Sequence, residues 1–410
     1  MKRSRIYEIS IVTVLVLATI AIAVTTVVLV LRQEDELMRK DHSENLQLVQ
    51  LIFRHGARTP TSQLPNDQYF NYTWPEGMGG LTTHGKEHMF KYGQLIRDRY
   101  HFYIENILSR NVIAQSSPVR RCLETTLAVL AGMMKPLKSQ IWSSIFGLAN
   151  EWQPIGVSTV EKDSAYLLGD SPLCPKVDQL DDMSELPETK QFLANNENFL
   201  QRLSNQTGLN VSGSKWRLVA AMYDSMVCEK DYFGDEYKQP EWVNKVGPDC
   251  MERLKAFNDF VFTVNKYYKA PYHRLTAGPF IKEMLLKMEE TVNNAININN
   301  RKLYTYGTHD LVVSRVLAAF GFLKEQPRFG SGLIIELRSD EQNPNQSNVH
   351  LLYVNGTNNF DIYPLYLNES KTFSSYCSEI HCSLDNFTTS LQSFIPDDIK
   401  VECGVTTEKQ

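Results

Sequence analysis

Arg54, His55 and Arg58 stand together in the stretch LVQLIFRHGARTP, where an apolar run stops at a histidine between arginines. Like charges repel, so packing alone is a poor reason for the cluster. A guanidinium stays protonated and presents a planar fork of donors suited to phosphate oxygens. An imidazole beside two such groups is disfavoured from taking its own proton and keeps a nitrogen lone pair. That is what a nucleophile toward phosphorus needs, and the arginines would neutralise the equatorial oxygens of the transition state. A second cluster, His309-Asp310 in GTHDLVV, offers the remaining parts. Asp310 can protonate a leaving oxygen in weak acid, and His309 can donate a hydrogen bond to the phosphate. By itself, Asp310 reads equally well as a helix cap. Arg121, with Arg120 beside it as a rival, would add a third guanidinium near a helix start. His84 and His88 are four apart, but one such pair is weak evidence for a metal site.

Both clusters need strands to deliver them. Leu46 to Phe53 reads as a strand buried on both faces. A helix follows, with Met89, Tyr92, Leu95 and Ile96 on roughly one face. Asn111 to Ala114 predicts a second strand, and Ser117-Pro118 predicts the start of the next helix, with Ser117 as N-cap. Residues 146–268 lose the strand signal and read as a mainly helical insert. Ile281, Met284, Leu285 and Met288 share a helix face, and a strand–loop–helix passes through His309. Gly332–Arg338 and Val349–Gly356 predict further strands. The expected organisation is an α/β domain from 45–145 and 269–410 around the insert. Ligands of open α/β sheets bind beyond the carboxyl ends of strands, so His55 and His309 would meet there if their strands are central and parallel.

Composition agrees with a globular body: 42% hydrophobic, 22% charged, net charge −5. It gives no reason to expect nucleic acid as a partner, and no P-loop or zinc-finger spacing is present. Ile9 to Leu31 carries no charge and is long enough to cross a bilayer. Lys2, Arg3 and Arg5 precede it, which predicts a cytoplasmic segment 1–8, a signal anchor 9–31 and a stalk 32–44. A cleaved signal ending near Ala21-Ile22-Ala23 is the alternative. Asn71, Asn205, Asn210, Asn345, Asn355, Asn368 and Asn386 each open an N-x-S/T triplet after the span. They predict a glycosylated lumenal or extracellular body in the secretory pathway: lysosomal, at the cell surface, or secreted. Seven cysteines leave at least one unpaired; Cys377 and Cys382 can close a small loop, and Cys122 reads as a free buried thiol.

These residues resemble the histidine acid phosphatases, in the branch of the prostatic and lysosomal acid phosphatases and their insect relatives. RHGARTP resembles the family's nucleophile signature and GTHDLVV its His-Asp signature; GGLTTHGKEHMFKYGQLIRDRY and HRLTAGPFIKEMLLKM resemble flanking segments. The likeness runs from about Leu46 to Cys403. It implies a mixed central sheet with helices on both faces (phosphoglycerate mutase-like) plus a smaller inserted helical domain. It implies His55 as nucleophile, Arg54, Arg58, Arg121 and His309 as phosphate ligands, and Asp310 as proton donor. The substrate would be a small-molecule or phosphopeptide monoester; no metal or organic cofactor is implied, and a homodimer is an expectation of the resemblance alone. Cys174 would pair with Cys403, and Cys377 with Cys382. A family cysteine near Gly332 is absent, so Cys228 needs another partner, with Cys250 the nearest candidate. Two other readings are an inositol- or sugar-phosphate phosphatase of the wider RHG group and a catalytically inactive membrane glycoprotein. The first commonly separates the acid from the second histidine, whereas here Asp310 directly follows His309.

Overall fold

The computed structural model describes residues 42–405, apart from 65, 145–146, 181–182, 212, 294–300, 358 and 379. The expected segments 1–8 and 9–31, and the stalk up to residue 41, lie outside the described residues. Among those described, no helix is long and apolar enough to cross a membrane.

The elements that matter for the site are, in chain order, β1 (Leu46–Arg54), α1 (Thr83–Arg99), β2 (Val112–Ser116), α2 (Arg120–Met133) and β3 (Val157–Ser158). Then follow α3 (Glu197–Thr207), α4 (Arg217–Phe233), α5 (Cys250–Thr263), α6 (Gly278–Val292), β4 (Leu303–Thr308) and α7 (Asp310–Ala319). The tail adds β5 (Gly332–Ser339), β6 (Ser347–Val354), β7 (Ile362–Pro364), β8 (His381–Ser383) and α8 (Leu384–Leu391). The sheet order is β3-β2-β4-β1-β5-β6-β7, with β8 also on β6. β1 and β2 both run parallel to β4, whereas β5 runs antiparallel to β1. The sheet is therefore mixed.

Burial on both faces explains the apolar run that opens β1. Leu48 and Ile52 pack with α6 and α7 residues such as Met284 and Val313. Val49, Leu51 and Phe53 point the other way, toward Met89 of α1 and Val129 of α2. The period of two in a strand divides one segment between two cores. Helices α1 and α2 cross closely: a Cβ on Gly93 would collide with the Val129 carbonyl, and one on Gly132 with the Phe90 carbonyl. Between β3 and β4 the chain is mainly helical, and α3, α4 and α5 gather around Phe199, Leu203, Trp216, Met226 and Phe257. Leu64, from the loop after β1, joins that cluster.

Two sequence expectations need correction. Ser117 is not an N-cap: Val119 occupies the cap position, and α2 begins at Arg120. The Ser117 backbone N–H instead stays with the sheet, donating to the Gly307 carbonyl at 2.9 Å, so the chain turns two residues later. Cys228 and Cys250 are not bonded to each other; both are free and buried. The Cys228 sulfur lies 3.2 Å from Arg58 Nη1, while Cys250 packs at the start of α5. Cys174 is joined to Cys403, and Cys377 to Cys382.

Candidate active site

Three parallel strands end side by side, and each hands over one residue. His55 follows β1, Ser117 follows β2 and His309 follows β4. Register brings them level: Arg54 lies opposite Thr308, and Ser116 opposite Gly307. His55 is pinned through its backbone, donating to the Thr308 carbonyl at 2.9 Å and accepting from the Gly330 N–H at 3.2 Å. Its ring Nδ1 lies 2.9 Å from the Gly56 carbonyl. A carbonyl only accepts, so Nδ1 carries the proton and Nε2 keeps the lone pair.

The arginines stand around this ring. Arg54 Nη2 meets Asp310 Oδ2 at 2.7 Å, Nη1 donates to the Pro327 carbonyl at 2.7 Å, and the guanidinium lies 4.1 Å from the Phe329 ring centre. Arg58 Nη2 reaches both oxygens of Asp224 at 2.9 Å. Arg121 Nη2 lies 3.2 Å from His309 Nδ1, and His309 Nε2 lies 2.8 Å from the Ser117 hydroxyl. Arg120, one residue earlier, points away: its side chain is 79% exposed and pairs with Glu124. Neighbouring residues on a helix are about 100° apart, so only one of the two can face the strand ends. The Nε atoms of Arg54, Arg58 and Arg121 are all buried without a hydrogen-bond acceptor. Buried donors are seldom left unmet, and three at one place can take an anion.

Burial is the first cause that drives the His55 pKa well below its ordinary value; Arg54, Arg121, Arg58 and His309 add to it. The His309 pKa is pushed down to about 4, chiefly by burial, with Asp170 opposing and Arg121 assisting. Burial raises the Asp310 pKa, but Arg54 and Arg58 outweigh it and hold the carboxyl below the usual range. Asp310 Oδ2 also accepts from Gln326 at 3.0 Å, and Oδ1 from the Leu311 N–H at 2.8 Å. A cleft of about 330 Å³ opens beside Arg54, lined among others by Asp224, Asn258, Gln326 and Phe329, with Asn258 Nδ2 donating to Gln326 Oε1 at 2.6 Å. His84 and His88 do not converge on one point: His84 pairs with Asp231, and His88 reaches the Thr357 carbonyl and stacks on Phe360.

Several site neighbours carried no sequence signal of such a place. Ser117 read as a cap, Asp224 is an ordinary polar position on a helix, and Gln326 and Phe329 sit in the loop between α7 and β5.

A mixed sheet covered on both faces, ending in a neutral imidazole among arginines, defines an α/β protein with a candidate anion site at its strand ends. Residues 45–354 match the histidine phosphatase superfamily (branch 2); the chain belongs to that family and is a phosphoric monoester hydrolase. It is similar to the lysosomal acid phosphatase of Xenopus laevis, 28% identical over 375 residues, 89% of this chain and 80% of that protein. It is 29% identical to the prostatic acid phosphatase of Rattus norvegicus over 382 residues, 90% of this chain and 91% of that one. Among solved structures, the Citrobacter braakii phytase superposes with a TM-score of 0.61 at 16% identity, covering 88% of this chain and 100% of that one. At such identity the likeness concerns the fold alone.

Proposed function

We propose that the protein is an acid phosphatase that hydrolyses phosphate monoesters through a phosphohistidine intermediate. The observation that carries this reading is three buried, unmet Nε–H donors on the arginines that act on an imidazole whose free nitrogen is Nε2. The phosphoryl group lies among Arg54, Arg58 and Arg121, and His55 Nε2 attacks phosphorus as the bond to the leaving oxygen breaks. That oxygen takes a proton from Asp310. Water then attacks the phosphohistidine, gives a proton to the Asp310 carboxylate, and releases inorganic phosphate and neutral His55.

In the free protein Asp310 is paired with Arg54 and is a poor acid. A bound phosphate draws on the Arg54 charge and adds negative charge of its own. Both effects raise the proton affinity of Asp310, and mild acid then loads it for donation. His309 donates to the phosphate when Nδ1 is protonated, a state that a neighbouring dianion favours. The expected insert 146–268 instead carries β3, a strand of the central sheet, near its start; the helices that follow, around Phe199, Trp216 and Phe257, form a second domain that contributes Asp224. We further propose that the segment 9–31 anchors a glycosylated catalytic body on the lumenal or extracellular side.

The test is hydrolysis of an aryl phosphate in mild acid without added metal. His55→Ala is expected to lower turnover by about 1000-fold or more. Activity that survives the substitution would remove His55 as nucleophile.

A further inference from the structure

Among the described residues, Arg58 takes its support from the helical stretch. Its Nη1 donates to the Thr59 carbonyl at 3.2 Å and faces the Cys228 sulfur at 3.2 Å. Its Nη2 faces both Asp224 oxygens at 2.9 Å. A guanidinium has five N–H donors. Both terminal nitrogens have acceptors, Nη1 a carbonyl and a sulfur and Nη2 the carboxylate. The fifth, on Nε, is buried and has no acceptor. Cys228 and Asp224 both lie on α4, one helical turn apart.

We infer that Asp224 is a positioning residue of the phosphate site: its carboxylate holds Arg58 with its Nε–H free for the substrate. The inference rests on the phosphatase reading and extends it to a residue that acts through Arg58. Without the carboxylate, a long side chain with several rotatable bonds regains its freedom, and phosphate binding must order it again. Asp224 also carries negative charge close to an anion site. It would therefore weaken phosphate binding if its main effect were to compete for Arg58. The two effects have opposite signs in the same measurement.

The test uses the purified full-length protein and reads the inhibition constant of inorganic phosphate together with KM and kcat for an aryl phosphate. In Asp224→Asn the inhibition constant and KM are expected to rise together by about tenfold, while kcat changes by less than about threefold, as for a lost contact to a charged group. In an Arg58→Met background, adding Asp224→Asn should no longer raise the inhibition constant, because the residue it positions is gone. If Asp224→Asn does not fold, Asp224→Glu carries the test, with phosphate binding weakened about threefold, because the carboxylate is displaced by one methylene. An unchanged or lowered inhibition constant in the folded variant overturns the inference, as does an equal effect with and without Arg58. Loss of all hydrolysis and phosphate binding in the parent protein would instead overturn the phosphatase reading.

Discussion

His55 owes its neutrality to burial first and to its arginine neighbours second. The distinction matters for pH. Burial persists whether or not substrate occupies the arginines, so the ring stays neutral through the mild-acid range in both states. The acid limb of the rate profile then falls below the ordinary histidine value of about 6.5. Asp310 behaves oppositely, because its pKa depends on the ion pair with Arg54, which substrate disturbs. Asp310→Ala is expected to slow an alkyl phosphate, whose leaving oxygen needs a proton, by about 100-fold or more relative to a nitrophenyl phosphate. Comparing kcat/KM for the two esters in parent and variant checks this. Equal losses on both would argue against proton donation.

At the scale of elements, α4 is the bridge between the sheet and the helical stretch. Beyond Asp224 and Cys228 it carries Asp231, 3.1 Å from His84 Nδ1, and Glu229, which is buried. The Glu229 carboxyl faces Asp67 from the loop after β1, with Tyr237 beside them. Burial and then Asp67 push the Glu229 pKa up to about 9. The unfolded chain releases this proton near pH 4.3, whereas the folded chain keeps it. The contribution to stability is therefore full below the unfolded value and is lost as pH rises toward the folded one. Histidines whose pKa values fall on folding, such as His273 and His350, act in the opposite sense. A difference measurement separates them: between about pH 5 and about pH 8 the parent should lose more thermal stability than Glu229→Gln. Parallel pH dependence of the two melting temperatures would refute the assignment.

For the molecule as a whole, the glycosylation triplets are the most accessible test of compartment. Asn71, Asn205, Asn210, Asn345, Asn368 and Asn386 are exposed, and Asn355 is half-buried. Sugar on any of them requires passage through the secretory pathway, in which the Cys174–Cys403 and Cys377–Cys382 bonds also form. Treatment of the cell-made protein with an N-glycosidase should shift its apparent mass downward by several steps. An unchanged mass would place the body on the other side of the membrane from the one proposed.

Much was legible in the order of residues. The strand of β1, the two histidine clusters and the helices around Met89 and Met284 follow from local pattern, because a period of two or 3.6 and a short motif are properties of neighbouring residues. The sequence by itself determined the chemistry available: a buried strand ending in His55 between arginines, and a second ending in His309-Asp310. Tertiary structure decided how that chemistry is assembled. It selected Arg121 over Arg120 by the rotation of α2, gave Ser117 to His309 rather than to a helix start, and left Cys228 free beside Arg58. It also brought Asp224 to Arg58 across 166 positions of chain. None of these has a local signature, because each depends on the parallel register of β1, β2 and β4 and on the seating of α4 against the loop after β1.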